Sequence, residues 1–302
     1  MGSHKTRTLL ETVMYLIFLV CGLFAVAAVL GIALYMILSG TPAIYQIGLK
    51  EFLLGTLWRP TADDPSFGIL YIILTSIVGT FLAILLGVPV ALLTAVYLSE
   101  LAPKKVYAVV RPAVELLAGI PSVIYGLLGA ILLVPVMQKL ETALFRGDPT
   151  HQFTGGANLL SAVIVLAIMI LPTVINVSET SLRAVPREYK EASLALGATH
   201  IETIFRVMIP AARSGVITSV VLGIGRAIGE AMAIMMVSGN VVNPPFPFNS
   251  VRFLTTGIVT EMSYSSGLHR QALFSIGLVL FVFIMVINIV LNVFLKKGGE
   301  KR

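Results

Sequence analysis

Six apolar runs, each long enough to cross a lipid bilayer as a helix, limit what this chain can fold into more than any other feature. A transmembrane helix needs roughly 20 mostly apolar residues. Because the runs are continuous, and are not alternating ten-residue segments, they disfavour a β-barrel. The sequence therefore predicts an all-α, polytopic membrane protein with six transmembrane helices. The runs lie at about Val13–Leu38, Gly68–Leu98, Ala113–Met137, Asn158–Val177, Gly215–Gly239 and Gln271–Leu295.

The Lys and Arg residues are distributed unevenly among the loops between these runs. With the N-terminus placed in the cytoplasm, 14 of them lie inside, 6 lie outside, and Arg226 falls within a run. Cytoplasmic loops carry an excess of Lys and Arg, so this asymmetry predicts a cell (inner) membrane protein with both termini in the cytoplasm. The net charge of +6 then reflects topology, and no nucleic-acid partner is expected. The inside set is Lys5, Arg7, Lys104, Lys105, Arg111, Arg183, Arg187, Lys190, Arg206, Arg213, Lys296, Lys297, Lys301 and Arg302, and the outside set is Lys50, Arg59, Lys139, Arg146, Arg252 and Arg270.

One long inside loop, Ser178–Arg213, has a regular pattern and contains the stretch VPREYKEASLALGATHIETIFRVMIP. Pro186 is well placed to begin a helix, and Glu188 in the first turn complements the helix dipole. Gly197 is the residue expected where a helix must stop or turn. The loop therefore predicts two short helices, with a break at Gly197, that lie at the inner surface of the membrane.

The same loop resembles the EAA motif of ABC importer permeases. In that family the motif forms the helix that sits in a groove of the cytoplasmic ATPase. The resemblance therefore implies a type I ABC importer permease fold and an ATPase-coupling role for these residues. The matching residues are Glu191, Ala192, Ser193, Gly197, Ile209 and Pro210, with Ser193 in place of the second Ala and Ile209 in place of Leu.

Four stretches together resemble the PstC-type permease subunit of phosphate-specific ABC importers. They are ELLAGIPSVIYGLLG, LAIMILPTV, REYKEASLALGAT and GRAIGEAMAIMMVSGN, at residues 115–129, 166–174, 187–199 and 225–240. The resemblance implies inorganic phosphate as the cargo and a heterodimer with a homologous PstA-like permease. It also implies a PstB-like ATPase dimer and a periplasmic or lipid-anchored phosphate-binding protein. Because no GxxxxGK phosphate-binding loop occurs in the chain, ATP hydrolysis is expected in the partner, and the chain is expected to be a transport subunit without a cofactor.

This organisation divides the chain into three parts. Residues 1–67 are predicted to hold the first span and the first outer loop. Residues 68–295 are predicted to form the core permease domain, with the cytoplasmic coupling loop at residues 178–213. Residues 296–302 are predicted to form a cytoplasmic tail.

Arg226 and Glu230 place two ionisable side chains near the middle of the fifth predicted span. An Arg at that depth costs about 2.5–3.5 kcal/mol on insertion scales, which is tolerated where it faces a partner or a wet cavity. At spacing i, i+4 the two side chains are expected to share one helix face and to reach each other. A structural salt bridge to another span is one interpretation. The other is a substrate pathway, because the guanidinium fork suits an oxyanion and a carboxylate can accept a hydrogen bond from the proton of hydrogen phosphate.

Three other functions stay open on sequence alone. A permease for sulfate or molybdate would share the ATPase-contact loop and differ only in the site. A secondary anion transporter would be expected to show internal repeats and broken helices, and neither is evident. A membrane enzyme would need a cluster of reactive side chains, whereas the four histidines are scattered at His4, His151, His200 and His269.

Overall fold

The computed structural model describes residues 2–299, and the side chains of residues 11–290. Apart from loops and an isolated bridge between Gly239 and Val251, the described part consists of helices and one short antiparallel hairpin, β1 (Trp58–Arg59) with β2 (Ser66–Phe67). Three π-helical segments lie at Tyr97–Leu101, Gly129–Leu133 and Ile204–Met208. The α-helices are α1 (Gly2–Ile47), α2 (Leu49–Leu54), α3 (Leu70–Val96), α4 (Lys104–Gly119), α5 (Ser122–Leu128), α6 (Val134–Leu144), α7 (Leu159–Arg183), α8 (Arg187–Ala195), α9 (His200–Thr203), α10 (Ile209–Ala211), α11 (Arg213–Gly229), α12 (Met232–Met235), α13 (Leu254–Glu261) and α14 (Gly267–Gly299).

The described residues contain five helices that are long and apolar enough to cross a membrane. A sixth span is a bent pair, residues 200–211 followed by α11, with an angle of 72° between its two parts. The prediction of an all-α membrane protein with six spans is therefore confirmed. The five helices are Glu11–Ile47, Leu70–Leu101, Ser122–Leu144, Leu159–Arg183 and Gly267–Val290.

The third span differs from its prediction as one continuous helix beginning at Ala113. The helix α4 ends at Gly119, and α5 begins only at Ser122. Ile120 is extended, with φ −71° and ψ 127°. The cause is Pro121, which lacks a backbone N–H and disfavours helical geometry in the residue before it.

The core of the bundle is α7, which packs against α3 and α11. Glycines bring these helices close together. A side chain at Gly87 of α3 would lie 2.9 Å from the carbonyl oxygen of Ala167, and one at Gly223 of α11 would lie 2.8 Å from Val174. Close packing of small residues is a common way for helices to associate in a membrane. This packing places the C-terminal half of α11 beside the middle of α7.

The helix α1 packs against α14, so the first and the last helix of the described chain are in contact. Ser275 donates a hydrogen bond from Oγ to the carbonyl oxygen of Gly40 at 2.6 Å. Ala43 and Phe52 share a buried cluster with Leu273 of α14. The domain division at residue 68 stays a prediction. Of the predicted tail, residues 296–299 continue α14, and residues 300–302 lie outside the described residues.

Candidate functional site

Arg226 lies in the last turn of α11, three residues before this helix ends at Gly229. It is the fourteenth residue of α11, which places it about 20 Å along that helix at 1.5 Å per residue. Its side chain is half-buried, and its Nη1 donates a hydrogen bond to Oγ1 of Thr173 at 3.2 Å. Thr173 belongs to α7 and follows Pro172, the proline within that helix. The guanidinium is therefore held by a hydrogen bond to the neighbouring helix α7 and not by a residue of α11.

Glu230 lies outside the helix that carries Arg226, so the expectation that the two share one helix face is wrong. The helix α11 ends at Gly229, and Glu230 is extended, with φ −74° and ψ 129°. Its Oε1 accepts a hydrogen bond from the backbone N–H of Ala233 at 3.0 Å, and its carbonyl oxygen accepts one from Thr255 Oγ1 at 2.7 Å. The carboxylate of Glu230 thus stabilises the start of α12. Thr255 of α13 provides a hydrogen-bond donor for the carbonyl oxygen of Glu230, which the break leaves without a partner in its own helix.

No ion pair joins Arg226 to Glu230 among residues 11–290, and neither one is paired with another charged side chain there. The structural interpretation, in which the arginine is neutralised by another span of the same chain, therefore lacks its partner in the described residues. A half-buried arginine without a counter-ion favours an anion as its second ligand.

The helix α5 forms one wall of this region. Tyr125 is buried, donates a hydrogen bond to the carbonyl oxygen of Leu117 at 2.7 Å, and lies within range of the charge of Arg226. Gly126 lies against α12, where an added Cβ would be 2.8 Å from Cα of Ala233. The close approach of α5 fixes the position of α12, whose first turn is capped by Glu230.

Replacing Gly126 with alanine should lower the stability of the purified protein. The new methyl group would meet backbone atoms, which cannot rotate away, and overpacking of this kind costs about 1–3 kcal/mol. That cost corresponds to a decrease of roughly 2 °C or more in the melting temperature. Thermal unfolding in detergent measures it, with Gly119→Ala as the matched control because its Cβ would meet nothing within 4 Å. Equal melting temperatures for the two variants would contradict the packing argument.

The loop at residues 178–213 contains α8, a break, and the short helices α9 and α10. The prediction of short helices broken at Gly197 is confirmed. Gly197 has φ +89°, a conformation that costs other residues about 1–2 kcal/mol. Thr199 begins α9 with a capping box, in which Glu202 accepts hydrogen bonds from the backbone N–H and the hydroxyl of Thr199.

Five of the six predicted coupling residues fall into two groups in this loop, and the sixth, Gly197, lies at the break between them. Glu191, Ala192 and Ser193 lie on α8, where Glu191 and Ala192 are exposed. Ile209 and Pro210 begin α10, next to the 72° bend that leads into α11. The structure does not bring either group close to Arg226. Beyond the bend, α11 leads from this loop to Arg226 and covers about 20 Å between Arg213 and Arg226 at 1.5 Å per residue.

Sequence reasoning missed Thr173, which the structure places against Arg226. Its signal is weak, since a single threonine after a proline in an apolar span is a common way to satisfy a freed backbone carbonyl. Only the packing of α7 on α11 shows that the hydroxyl meets a guanidinium. Ser122, three residues before Tyr125, begins α5 and is half-buried.

Comparisons with known proteins agree with this architecture. Residues 87–297 match the family described as binding-protein-dependent transport system inner membrane component. The chain is 38% identical to the probable ABC transporter permease protein YqgH of Bacillus subtilis over 95% of this chain and 93% of the relative. It is 34% identical to the phosphate transport system permease protein PstC of Pasteurella multocida, over 83% and 82%. A solved bacterial alginate ABC transporter shares the fold, with a TM-score of 0.61, 16% identity and coverage of 98% and 96%.

Proposed function

The chain belongs to the family of binding-protein-dependent transport system inner membrane components, and on that premise we propose that its cargo is inorganic phosphate. Membership makes it a non-catalytic transmembrane subunit of an ABC importer in the inner membrane, working with an ATPase and a binding protein. The relative from Pasteurella multocida is named for phosphate transport. YqgH is named only as a probable ABC permease. The choice of cargo therefore depends on the chemistry of the site as well as on the relatives.

The observation that carries the proposal is Arg226, held at a broken span by Thr173 and lacking a counter-ion among the described residues. Arginine presents a planar fork of donors that matches the oxygen atoms of phosphate. Because it stays charged at any physiological pH, it attracts an anion throughout the transport cycle. The break beyond Gly229 interrupts the helix beside the guanidinium, as expected where the backbone lines a path for a polar substrate.

In this proposal, Glu230 makes the site selective for phosphate over sulfate. Its Oε1 accepts a hydrogen bond from the backbone N–H of Ala233, and its second carboxylate oxygen has no protein donor among the described residues. That oxygen can accept a hydrogen bond from the P–OH group that hydrogen phosphate carries near neutral pH. Sulfate has no such proton and would meet only repulsion from the carboxylate. Discrimination against a competing ligand is often built from a repulsive group of this kind.

Replacing Glu230 with glutamine should weaken the discrimination against sulfate. The amide oxygen can still accept the hydrogen bond from Ala233, so the cap of α12 is kept while the charge is removed. Since like-charge juxtaposition costs several kcal/mol, sulfate should compete for uptake at least about tenfold more strongly than in the wild type, as 1.4 kcal/mol is a factor of ten. Competition by unlabelled sulfate against radiolabelled phosphate measures the change. Asp63→Asn, at an exposed carboxylate, is the control, and unaltered competition in Glu230→Gln would disprove this role.

The cargo itself is tested by uptake in cells that lack their own high-affinity phosphate importer. The chain is expressed together with its neighbouring operon genes, and radiolabelled phosphate is offered with arsenate, sulfate or molybdate as competitor. Competition by arsenate alone is the expected result. Competition by sulfate or molybdate in the wild type would instead assign the permease to that oxyanion. An absence of phosphate uptake from a correctly inserted complex would remove the phosphate assignment.

The partners follow from the same proposal. The second permease is a homologous PstA-like chain, the motor is a PstB-like ATPase dimer, and a periplasmic or lipid-anchored phosphate-binding protein delivers the cargo. We expect the ATPase to bind the face of α8 that contains the exposed residues Glu191 and Ala192. This orientation puts both termini in the cytoplasm, because six spans return the chain to the side on which it began, and the loop after the fourth span lies on that side.

A further inference from the structure

The helix α8 has few contacts with the rest of the chain. None of its nine residues is buried. Within the described residues, its side chains make two polar contacts with other segments. Lys190 places Nζ 2.6 Å from Oε2 of Glu100, and Ser193 lies 3.0 Å from Thr203, oxygen to oxygen. The second contact stays within the same loop. The ion pair is the one that reaches another span.

Glu100 belongs to the π-helical segment that ends the second span, directly after α3. Its side chain is only 7% exposed, whereas that of Lys190 is 29% exposed. A carboxylate this far from water depends on its partner, since a buried charge that loses its counter-ion is strongly destabilised. The pair is therefore expected to persist while the helices around it move.

Apolar packing connects α8 to the end of α3 through the π-helical segment Ile204–Met208. This segment contacts α8, and its Ile204 and Met208 share a buried cluster with Val96 at the end of α3. Directly between α8 and the end of the second span lies a cavity of about 420 Å³. The Lys190–Glu100 ion pair joins the two sides of this cavity. The cavity is lined by Ser99, Glu100, Leu182, Arg183, Val185, Arg187, Lys190, Glu191, Leu194 and Met208.

The neighbouring contacts show what the pair adds. The backbone joins α8 directly to α7, and Arg183 at the end of α7 donates a hydrogen bond to the carbonyl oxygen of Leu98 at 3.1 Å. Arg183 is in turn held by Glu179, which is 1% exposed and also binds Arg111 of α4. These contacts fix the end of α3 to α7.

His200 of α9 places Nε2 3.4 Å from the carbonyl oxygen of Glu100, so the loop beyond Gly197 also contacts the second span. Among the side chains of α8 itself, Lys190 is the one that makes a polar contact with the second span within the described residues.

We propose that the Lys190–Glu100 ion pair is the direct side-chain link through which movement of α8 reaches α3, so that the second span moves with the ATPase-contacting helix. Both residues are positioning residues, and neither contacts the cargo. The inference rests on the proposed docking of α8 on the ATPase and is independent of which anion is carried. If the pair is broken, α8 should move while α3 lags, and ATP hydrolysis should no longer be matched by transport.

A distance measurement tests the link directly in the complete transporter. Spin labels are placed at Tyr97, at the end of the second span, and at Glu188 on α8, in a Cys21→Ser background. In the wild type the distance between the labels should change by less than about 2 Å between the nucleotide-free and vanadate-trapped states, the size of a small helix shift. In Glu100→Gln and in Lys190→Met it should change by more than that, or broaden. A constant distance in both variants, or a large change in the wild type, would overturn the proposal.

Transport per ATP hydrolysed is the second readout. In Glu100→Gln and Lys190→Met it should fall by at least about fivefold, the lower end of the range typical for coupling between sites. The charge-reversed double variant, Glu100→Lys with Lys190→Glu, should recover most of the loss. Lys104→Met is the matched control, because Lys104 is an exposed lysine of α4 with no ion pair among the described residues. Loss in the double variant equal to that of the single variants, with the complex intact on size exclusion, would contradict the pairing.

A third label separates failure of this inference from failure of the docking on which it rests. A label on the ATPase, paired with the one at Glu188, reports whether α8 lies at the ATPase surface. If that pair shows no proximity, the proposed docking of α8 is wrong. If it does show proximity while Glu100→Gln keeps α3 and α8 together, the docking stands and the ion-pair link is wrong.

Discussion

Replacing Arg226 with alanine should abolish high-affinity phosphate uptake while leaving the membrane complex assembled. The variant removes a half-buried guanidinium that has one protein partner, Thr173, among the described residues. Hydrogen bonds to charged groups contribute about 1.5–3 kcal/mol each. Loss of two such bonds to the anion corresponds to a decrease in uptake of at least about 100-fold at limiting phosphate, since 1.4 kcal/mol is a factor of ten.

Two further variants separate the charge of Arg226 from its geometry. Arg226→Lys keeps the charge and loses the fork, so uptake should fall by an intermediate factor of about ten. Thr173→Val keeps the arginine and removes the hydrogen bond that aims it, a loss of about 1 kcal/mol and a smaller decrease in uptake. Arg146→Ala, at an exposed arginine of the loop after α6, is the control that should transport normally. Initial rates are normalised to the amount of complex in the membrane. An Arg226→Ala variant with wild-type uptake would remove the anion site from this span.

The parts of the fold that sequence predicted are those set by local composition. Six apolar runs predict six spans because the bilayer imposes their length and polarity. The stop at Gly197 follows from one residue, since its φ of +89° is a conformation that glycine adopts without strain. The break at Ile120 was not predicted, although its cause, Pro121, is equally local. In each case the cause lies within a few residues of its effect.

The break at Glu230 could not be predicted, because its causes lie far along the chain. The stretch GRAIGEAM has no proline, and its spacing is compatible with a continuous helix. The carbonyl oxygen of Glu230 accepts a hydrogen bond from Oγ1 of Thr255, which belongs to α13, between the fifth span and α14. The candidate residues of the site were thus identified from their type and depth. Their geometry depended on a tertiary contact that overrides local propensity.

Loss of the carboxylate of Glu261 should destabilise the protein more than any other single change outside the bundle core. Glu261 ends α13, its side chain is 6% exposed, and it connects three separate segments of the chain. One oxygen pairs with Arg252. The other accepts a hydrogen bond from Nε1 of Trp58 at 2.9 Å and lies 2.8 Å from Nε2 of His269. Glu261→Leu would leave a nearly buried arginine without its counter-ion and an indole N–H without its acceptor.

Breaking a buried ion pair on one side costs about 3–5 kcal/mol. For a domain of this size that cost corresponds to a decrease of roughly 6 °C or more in the melting temperature. Thermal unfolding of the purified complex in detergent measures it, and Asp64→Asn, at an exposed carboxylate between β1 and β2, should have the melting temperature of the wild type. Since Arg252 also donates to the carbonyl oxygen of Asn240 at 2.9 Å, and Asn240 caps α12 at Met235, the loss should extend to the broken span.

The double variant Arg252→Gln with Glu261→Gln distinguishes an unpaired charge from a general loss of packing. Removing both charges leaves two neutral groups that can still hydrogen-bond, so the double variant should melt above Glu261→Leu. Its phosphate uptake should also exceed that of Glu261→Leu, because α12 and the cap at Glu230 would be held more nearly in place. If the double variant melts no higher than the single one, the destabilisation comes from lost packing around α13 and not from the stranded charge of Arg252.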